Sequence, residues 1–86
     1  MAEKYVYFYF MKNIPEQIRE AVPLHIAYWK NQKLNGYSGG PFADKTGGLI
    51  IFESSDIEKA IELTEKDPFV ERGVIDSKWV KKWMQE

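Results

Sequence analysis

The chain has no cysteine, one histidine and four prolines in 86 residues, and its charges nearly cancel. Without cysteine there is no disulfide framework and no thiolate metal site, a usage that fits a reducing compartment. One histidine among scattered carboxylates supplies neither a three-ligand zinc constellation nor a two-histidine iron site, so no metal and no cofactor is expected. Twelve basic and 13 acidic side chains, with no block of either sign, build none of the positive field that nucleic acid or an anionic membrane surface selects. No apolar run approaches the roughly 20 residues of a membrane span, and no charged leader precedes one. Acyl transfer through a covalent intermediate is disfavoured too, because no serine sits in a nucleophile-elbow context. The expectation is a cytoplasmic protein whose residues 1–86 form one domain with a thin core.

What is present is aromatic and well punctuated. KYVYFYFM, residues 4–11, reads as a strand that is apolar on both faces: Tyr5, Tyr7, Tyr9 and Met11 alternate with Val6, Phe8 and Phe10. The pattern alone does not say which set meets the core. Asn13 is placed to cap a helix with Pro15 in its first turn. That helix runs to about residue 35, with a kink or restart expected at Pro23 and an end at Gly36. His25 then shares a face with Trp29 and Gln32, while Leu24, Ala27, Tyr28 and Leu34 form the stripe expected to pack on the sheet.

Tyr37 to Gly40 reads as a short extended piece and residues 39–48 as a loop, followed by the strand GLIIFES, 48–54. Ser55 or Asp56 caps a second helix, with Ser55 and Glu58 at capping-box spacing and Ile57, Ala60, Ile61 and Thr64 as its inner stripe. Asp67 and Pro68 end it. A last strand from about 74 to 83 places Ile75, Trp79 and Trp83 on one side and Val80 on the other.

The order β-α-β-β-α-β predicts an α+β, ferredoxin-like fold in which two helices cover one face of an antiparallel four-stranded sheet. Strands apolar on both faces then need cover on the other side, which a homodimer through the open sheet face supplies. An RNA-stacking sheet is the competing account, and the third strand lacks its basic and aromatic signature.

Pro23-x-His25, Gly39-Gly40-Pro41, GLIIFES, Asp67-Pro68-Phe69 and Gly73-Val74, in that order over most of the chain, resemble the YciI-like (YCII-related) proteins. The resemblance implies a small protein of the dimeric α+β barrel group, with a histidine and aspartate pair in a pocket and a mostly unassigned enzymatic role. Relatives include a dehydrochlorinase of chlorinated hydroxyhydroquinones, and similar barrels isomerise muconolactone. The histidine corresponds to His25, its acidic partner to Asp67 or, as second choice, Asp44, and Ser38 stands where the family often has a hydroxyl. The loop between Pro41 and Gly47 is shorter than in longer relatives.

A neutral imidazole takes and gives protons near neutrality, and a carboxylate on one ring nitrogen fixes the tautomer and raises the basicity of the other. The pair suits enolisation, isomerisation or loss of a leaving group from a small cyclic or aromatic substrate, against which Tyr28 or Trp29 would pack. The alternative is a non-catalytic homodimer whose pocket binds a small molecule or serves only structure.

Overall fold

A computed structural model of the protein describes residues 2–86. The elements run β1 (Glu3–Met11), α1 (Pro15–Gln32), β2 (Ser38–Pro41), β3 (Gly47–Ser54), α2 (Ile57–Glu65), α3 (Pro68–Glu71) and β4 (Ile75–Lys82). All strand pairs are antiparallel and the sheet order is β2-β3-β1-β4, which is the ferredoxin-like arrangement with one extra helical turn, α3, before the last strand. Among the described residues no helix is long and apolar enough to cross a membrane.

The ambiguity of β1 is resolved in favour of its tyrosines. Tyr5, Tyr7 and Tyr9 are buried against Ala21 and Trp29 of α1, Ala60 of α2 and Phe69 of α3, with Ile50 and Phe52 of β3 beside them. Val6 and Phe8 on the opposite face are half-buried and Phe10 is exposed. Burying five or more aromatic rings on one side gives a thin layer a large apolar payload.

The expected barrel is corrected: the sheet is open. Its edges are β2 and β4, which do not pair with each other. Four strands are too few to curl closed on themselves, and the edges are built to stay apart. β2 has four residues and ends in Pro41, which has no N–H to donate, while β4 carries Lys78, Lys81 and Lys82.

Several local expectations also change. α1 is one continuous helix through Pro23. Ile14 stands at its N-cap with no side-chain hydrogen bond, so Asn13 does not cap it, and Pro15 opens the first turn. It ends at Lys33, which takes the left-handed conformation (φ 51°) and donates its N–H to the Lys30 carbonyl. Stopping there turns Leu34 back onto the core, and Gly36 (φ 63°) makes the next reversal. The stripe facing the sheet is Ile18, Ala21, His25, Tyr28 and Trp29, whereas Leu24 is exposed. α2 is capped by the Asp56 carboxylate, which accepts from the Lys59 N–H, and Ile57 and Ile61 remain exposed while Ala60 and Thr64 are buried.

In β4 a bulge decides the facing. Phe10 pairs with Ser77 but Met11 pairs with Ile75, so the strand shifts phase between them and Ile75 joins the core. Trp79, opposite Phe8, stays on the open face with its ring stacked on that phenylalanine at 5.3 Å.

Candidate active site

Two chain segments 42 residues apart meet at one carboxylate. On α1, residues 21, 25 and 29 recur every four positions and so lie along one line of the helix. On the other side, Asp67 is extended (φ −61°, ψ 130°) and caps α3, with Pro68 in the first helical position. The turn chemistry that ends α2 therefore also delivers a buried acid to the α1 surface.

Asp67 is fully buried and its oxygens are satisfied from three directions. Oδ1 accepts from the Phe69 backbone N–H at 2.9 Å, and Oδ2 accepts from the Trp29 indole Nε1–H at 2.9 Å. His25 Nδ1 lies 2.8 Å from Oδ1 and 2.9 Å from Oδ2. A carboxylate is acceptor-only, so the proton belongs on Nδ1 and Nε2 carries the free lone pair of the neutral ring. Fixed donors on a buried carboxylate offset the cost of removing its charge from water.

The imidazole is held in plane as well as in tautomer. It stacks on Phe69 with ring centroids 4.0 Å apart and 12° between planes, and Tyr9 meets it edge-on at 5.9 Å and 69°. Tyr9 Oη is 3.4 Å from Nε2. Burial, then the negative charge of Asp67, pushes the Tyr9 hydroxyl well above its ordinary range. It stays protonated, and a donor, throughout the neutral range.

His25 and Tyr9 open onto a cleft of about 400 Å³ between α1 and the β2–β3 edge. Its walls are largely apolar, with Val22 and Ile26 on one side, Ile50 and Phe69 at the back, and Tyr37 and Gly39–Pro41 opposite. Gly48 makes room for the Tyr9 ring: a Cβ at that position would lie 2.5 Å from Tyr9 Oη and 2.8 Å from Cζ. Other hollows are of similar size, but they are lined without His25 or Asp67. Among the described residues no three histidine, cysteine or acidic side chains converge to hold a metal.

The remaining candidates sit elsewhere. Asp44 is in the β2–β3 turn, where its Oδ1 accepts from the N–H and hydroxyl of Thr46 at 3.0 and 2.7 Å; these bonds hold its carboxyl below the usual range. Ser38 pairs with Ile51, a register that places it on the open sheet face, away from the cleft. Trp29 is buried behind His25 and contributes its indole N–H to Asp67. Tyr28 donates to the Leu63 carbonyl at 2.5 Å and lines a different hollow; burial and then Asp67 push its hydroxyl up to about 12. Tyr9, Phe69, Tyr37 and Lys30 were not singled out from sequence as site residues. Phe69 had a signal, since it completes the Asp67-Pro68-Phe69 motif. Tyr9 had none, because its facing depends on which side of β1 the helices cover.

Comparison with known proteins bears on the family and the fold. The model of the YCII-related domain matches residues 4–84. The uncharacterised protein YjpA of Bacillus subtilis (strain 168) is 39% identical over 44 residues, 51% of this chain and 51% of that one. The matched stretch thus spans about half the length of that relative. Among solved structures, the fold is similar to 5-chloro-2-hydroxyhydroquinone dehydrochlorinase (TftG) from Burkholderia phenoliruptrix AC1100 in complex with 2,5-dihydroxybenzoquinone. The TM-score is 0.81 at 22% identity, over 96% of this chain and 95% of that one. An antibiotic biosynthesis monooxygenase is similar with a TM-score of 0.67 at 16% identity, over 100% of this chain and 99% of that one. With a family match over nearly its whole length, and a buried His25–Asp67 pair where the motifs place one, the chain belongs to the YCII-related family.

Proposed function

We propose that the protein is a cofactor-independent lyase or isomerase that moves a proton on a small cyclic or aromatic substrate, with His25 as the acid-base group and Asp67 as its orienting partner. The observation that carries this reading is the two-oxygen contact of Asp67 with His25 Nδ1, which leaves Nε2 as the basic edge beside the cleft. Nε2 takes a proton from a carbon or hydroxyl of the bound ring. A pair released from carbon forms a C=C bond as the leaving group departs with its electrons from the adjacent carbon, whereas a pair released from a hydroxyl forms C=O while the ring C=C takes the proton back from the imidazolium at carbon. The Tyr9 hydroxyl, held protonated, donates to the oxygen on which charge develops. The structurally similar dehydrochlorinase is complexed with 2,5-dihydroxybenzoquinone, a small hydroxylated ring of the class proposed here.

The test is turnover of a panel of enolisable lactones and halogenated hydroquinones. Replacing His25→Gln is expected to lower the rate by roughly 100- to 10,000-fold, the usual worth of general acid-base catalysis. A rate unaffected by that change would refute the assignment.

A second reading has its own observation. The same carboxylate caps α3 and ties it to Trp29 and His25 of α1, so the pair would also serve a non-catalytic binding protein by locking two helices together. Ligands that bind in the cleft without any turnover would favour it. In either reading we propose that residues 1–86 act as one domain and that two copies associate through the open sheet face, where Phe8, Phe10 and Trp79 stack in a continuous apolar strip.

A further inference from the structure

The cleft is largely apolar; the polar side chains in its lining are His25, the Tyr9 and Tyr37 hydroxyls, and Lys30, its one lysine or arginine. Lys30 continues the line of Val22 and Ile26 along α1 at intervals of four, so the two apolar residues that form one wall lead directly to it. Among the described residues the side-chain ion pairs are His25–Asp67, Lys78–Glu65 and Lys82–Glu3. Among the described residues no carboxylate lies within ion-pair distance of the Lys30 ammonium. Asp67, the partner of His25, is fully buried and already bound by three donors. The Tyr9 and Tyr37 hydroxyls beside the cleft are raised first by burial and then by the Asp67 charge. An anion entering this space meets the negative charge of Asp67 behind His25 and a single compensating cation, Lys30, five residues further along α1. From this arrangement we infer that Lys30 determines specificity: the site takes a ring carrying an anionic substituent, whose charge rests on Lys30 while the opposite edge of the ring faces His25 Nε2 and Tyr9 Oη.

This inference rests on the reading of the cleft as a site for small rings, and it adds the charge of the substrate and its orientation. Lysine in the last turn of a helix also complements the helix dipole, a role independent of any ligand. The test therefore compares two ligands of the same shape on the same protein.

The probes are 4-hydroxybenzoate and 4-hydroxybenzamide, titrated against the ring resonances of the single histidine. The expected result is tighter binding of the carboxylate than of the amide by about two- to fivefold, the scale of one partly exposed ion pair. The preference is expected to vanish in Lys30→Met, to survive in Lys30→Arg and to shrink with added salt. Equal binding of the two probes to the native chain, or a preference that persists in Lys30→Met, overturns the role of Lys30 and leaves the ring-binding cleft standing. No perturbation of His25 by either probe at millimolar concentration overturns both. A lysine that served only the helix would lower the thermal midpoint of Lys30→Met and change binding of the two probes equally.

Discussion

At the scale of single residues, the core of this protein is organised around one charge. Asp67 accepts from His25, Trp29 and the Phe69 backbone, so Asp67→Ala leaves an indole N–H and a backbone N–H buried without acceptors. At 1–3 kcal/mol per orphaned group, a loss of about 3 kcal/mol is expected in the unfolding free energy from urea titration. Tyr7 is the opposite case. Its hydroxyl is buried with no hydrogen-bond partner among the described residues, and burial followed by the Asp67 charge pushes it well above its ordinary range. Tyr7→Phe is expected to stabilise the fold by about 1 kcal/mol at neutral pH, since it removes only an unsatisfied group. The sign of the pH effect follows from the direction of the shift. An unfolded chain ionises its tyrosines near about pH 10, whereas the folded protein holds the Tyr7 and Tyr9 protons to higher pH. Stability is therefore fully present below about pH 10 and falls as pH rises beyond it. Urea titrations at about pH 8 and about pH 11 should show a smaller fall in Tyr7→Phe than in the native chain.

At the scale of elements, α1 illustrates how tertiary contacts overrule local preference. Proline at position 23 removes the hydrogen bond to the Arg19 carbonyl and crowds it, yet the helix is continuous from Pro15 to Gln32. His25 and Trp29, both beyond the proline, are bound to Asp67, and they hold the second half of the helix in register with Ala21 in the first. Pro23→Ala should then keep the same structure and raise the thermal midpoint, by a margin equivalent to about 1 kcal/mol or more. The β3 start makes the converse point about close approach. A Cβ at Gly47 would meet the Tyr9 carbonyl oxygen at 1.8 Å, a contact with rigid backbone, while at Gly48 it meets chiefly the end of the Tyr9 side chain at 2.5 Å, with the Gly40 carbonyl oxygen at 3.0 Å. Gly47→Ala is expected to abolish soluble expression, whereas Gly48→Ala should fold, with its His25 ring resonances displaced as Tyr9 is pushed aside.

At the scale of the whole molecule, the unresolved energetic demand is the second face of the sheet. Phe10 and Trp79 are 37% and 43% exposed although they stack with Phe8 and each other, and a strip of this kind on a thin domain favours association. Light scattering at micromolar concentration should return twice the 10.1 kDa chain mass. Trp79→Lys should return the single-chain mass with unchanged far-UV dichroism, because that side chain contributes nothing to the helix-facing core.

Much of this was legible in the order of residues alone. Runs of aromatic and β-branched side chains, broken by proline and glycine, are local properties, and they determined the β-α-β-β-α-β order and the existence of a two-faced sheet. The ordered set of local motifs that carries the family resemblance nominated His25 and, for its acidic partner, Asp67 with Asp44 as second choice. The facing of β1, the helical stripe that includes His25, the phase of β4 and the openness of the sheet were beyond that reach. Each depends on which of two nearly equivalent surfaces meets the other elements: alternation in β1 is symmetric, a one-residue bulge reverses the facing of Ile75 relative to Trp79, and closure is a relation between two edges. The burial of Asp67 beneath three donors was decided in the same way. Only the packed structure brings a turn at residue 67 against a helix at residues 25 and 29, and only there does an ordinary capping aspartate become the charge that orients an imidazole.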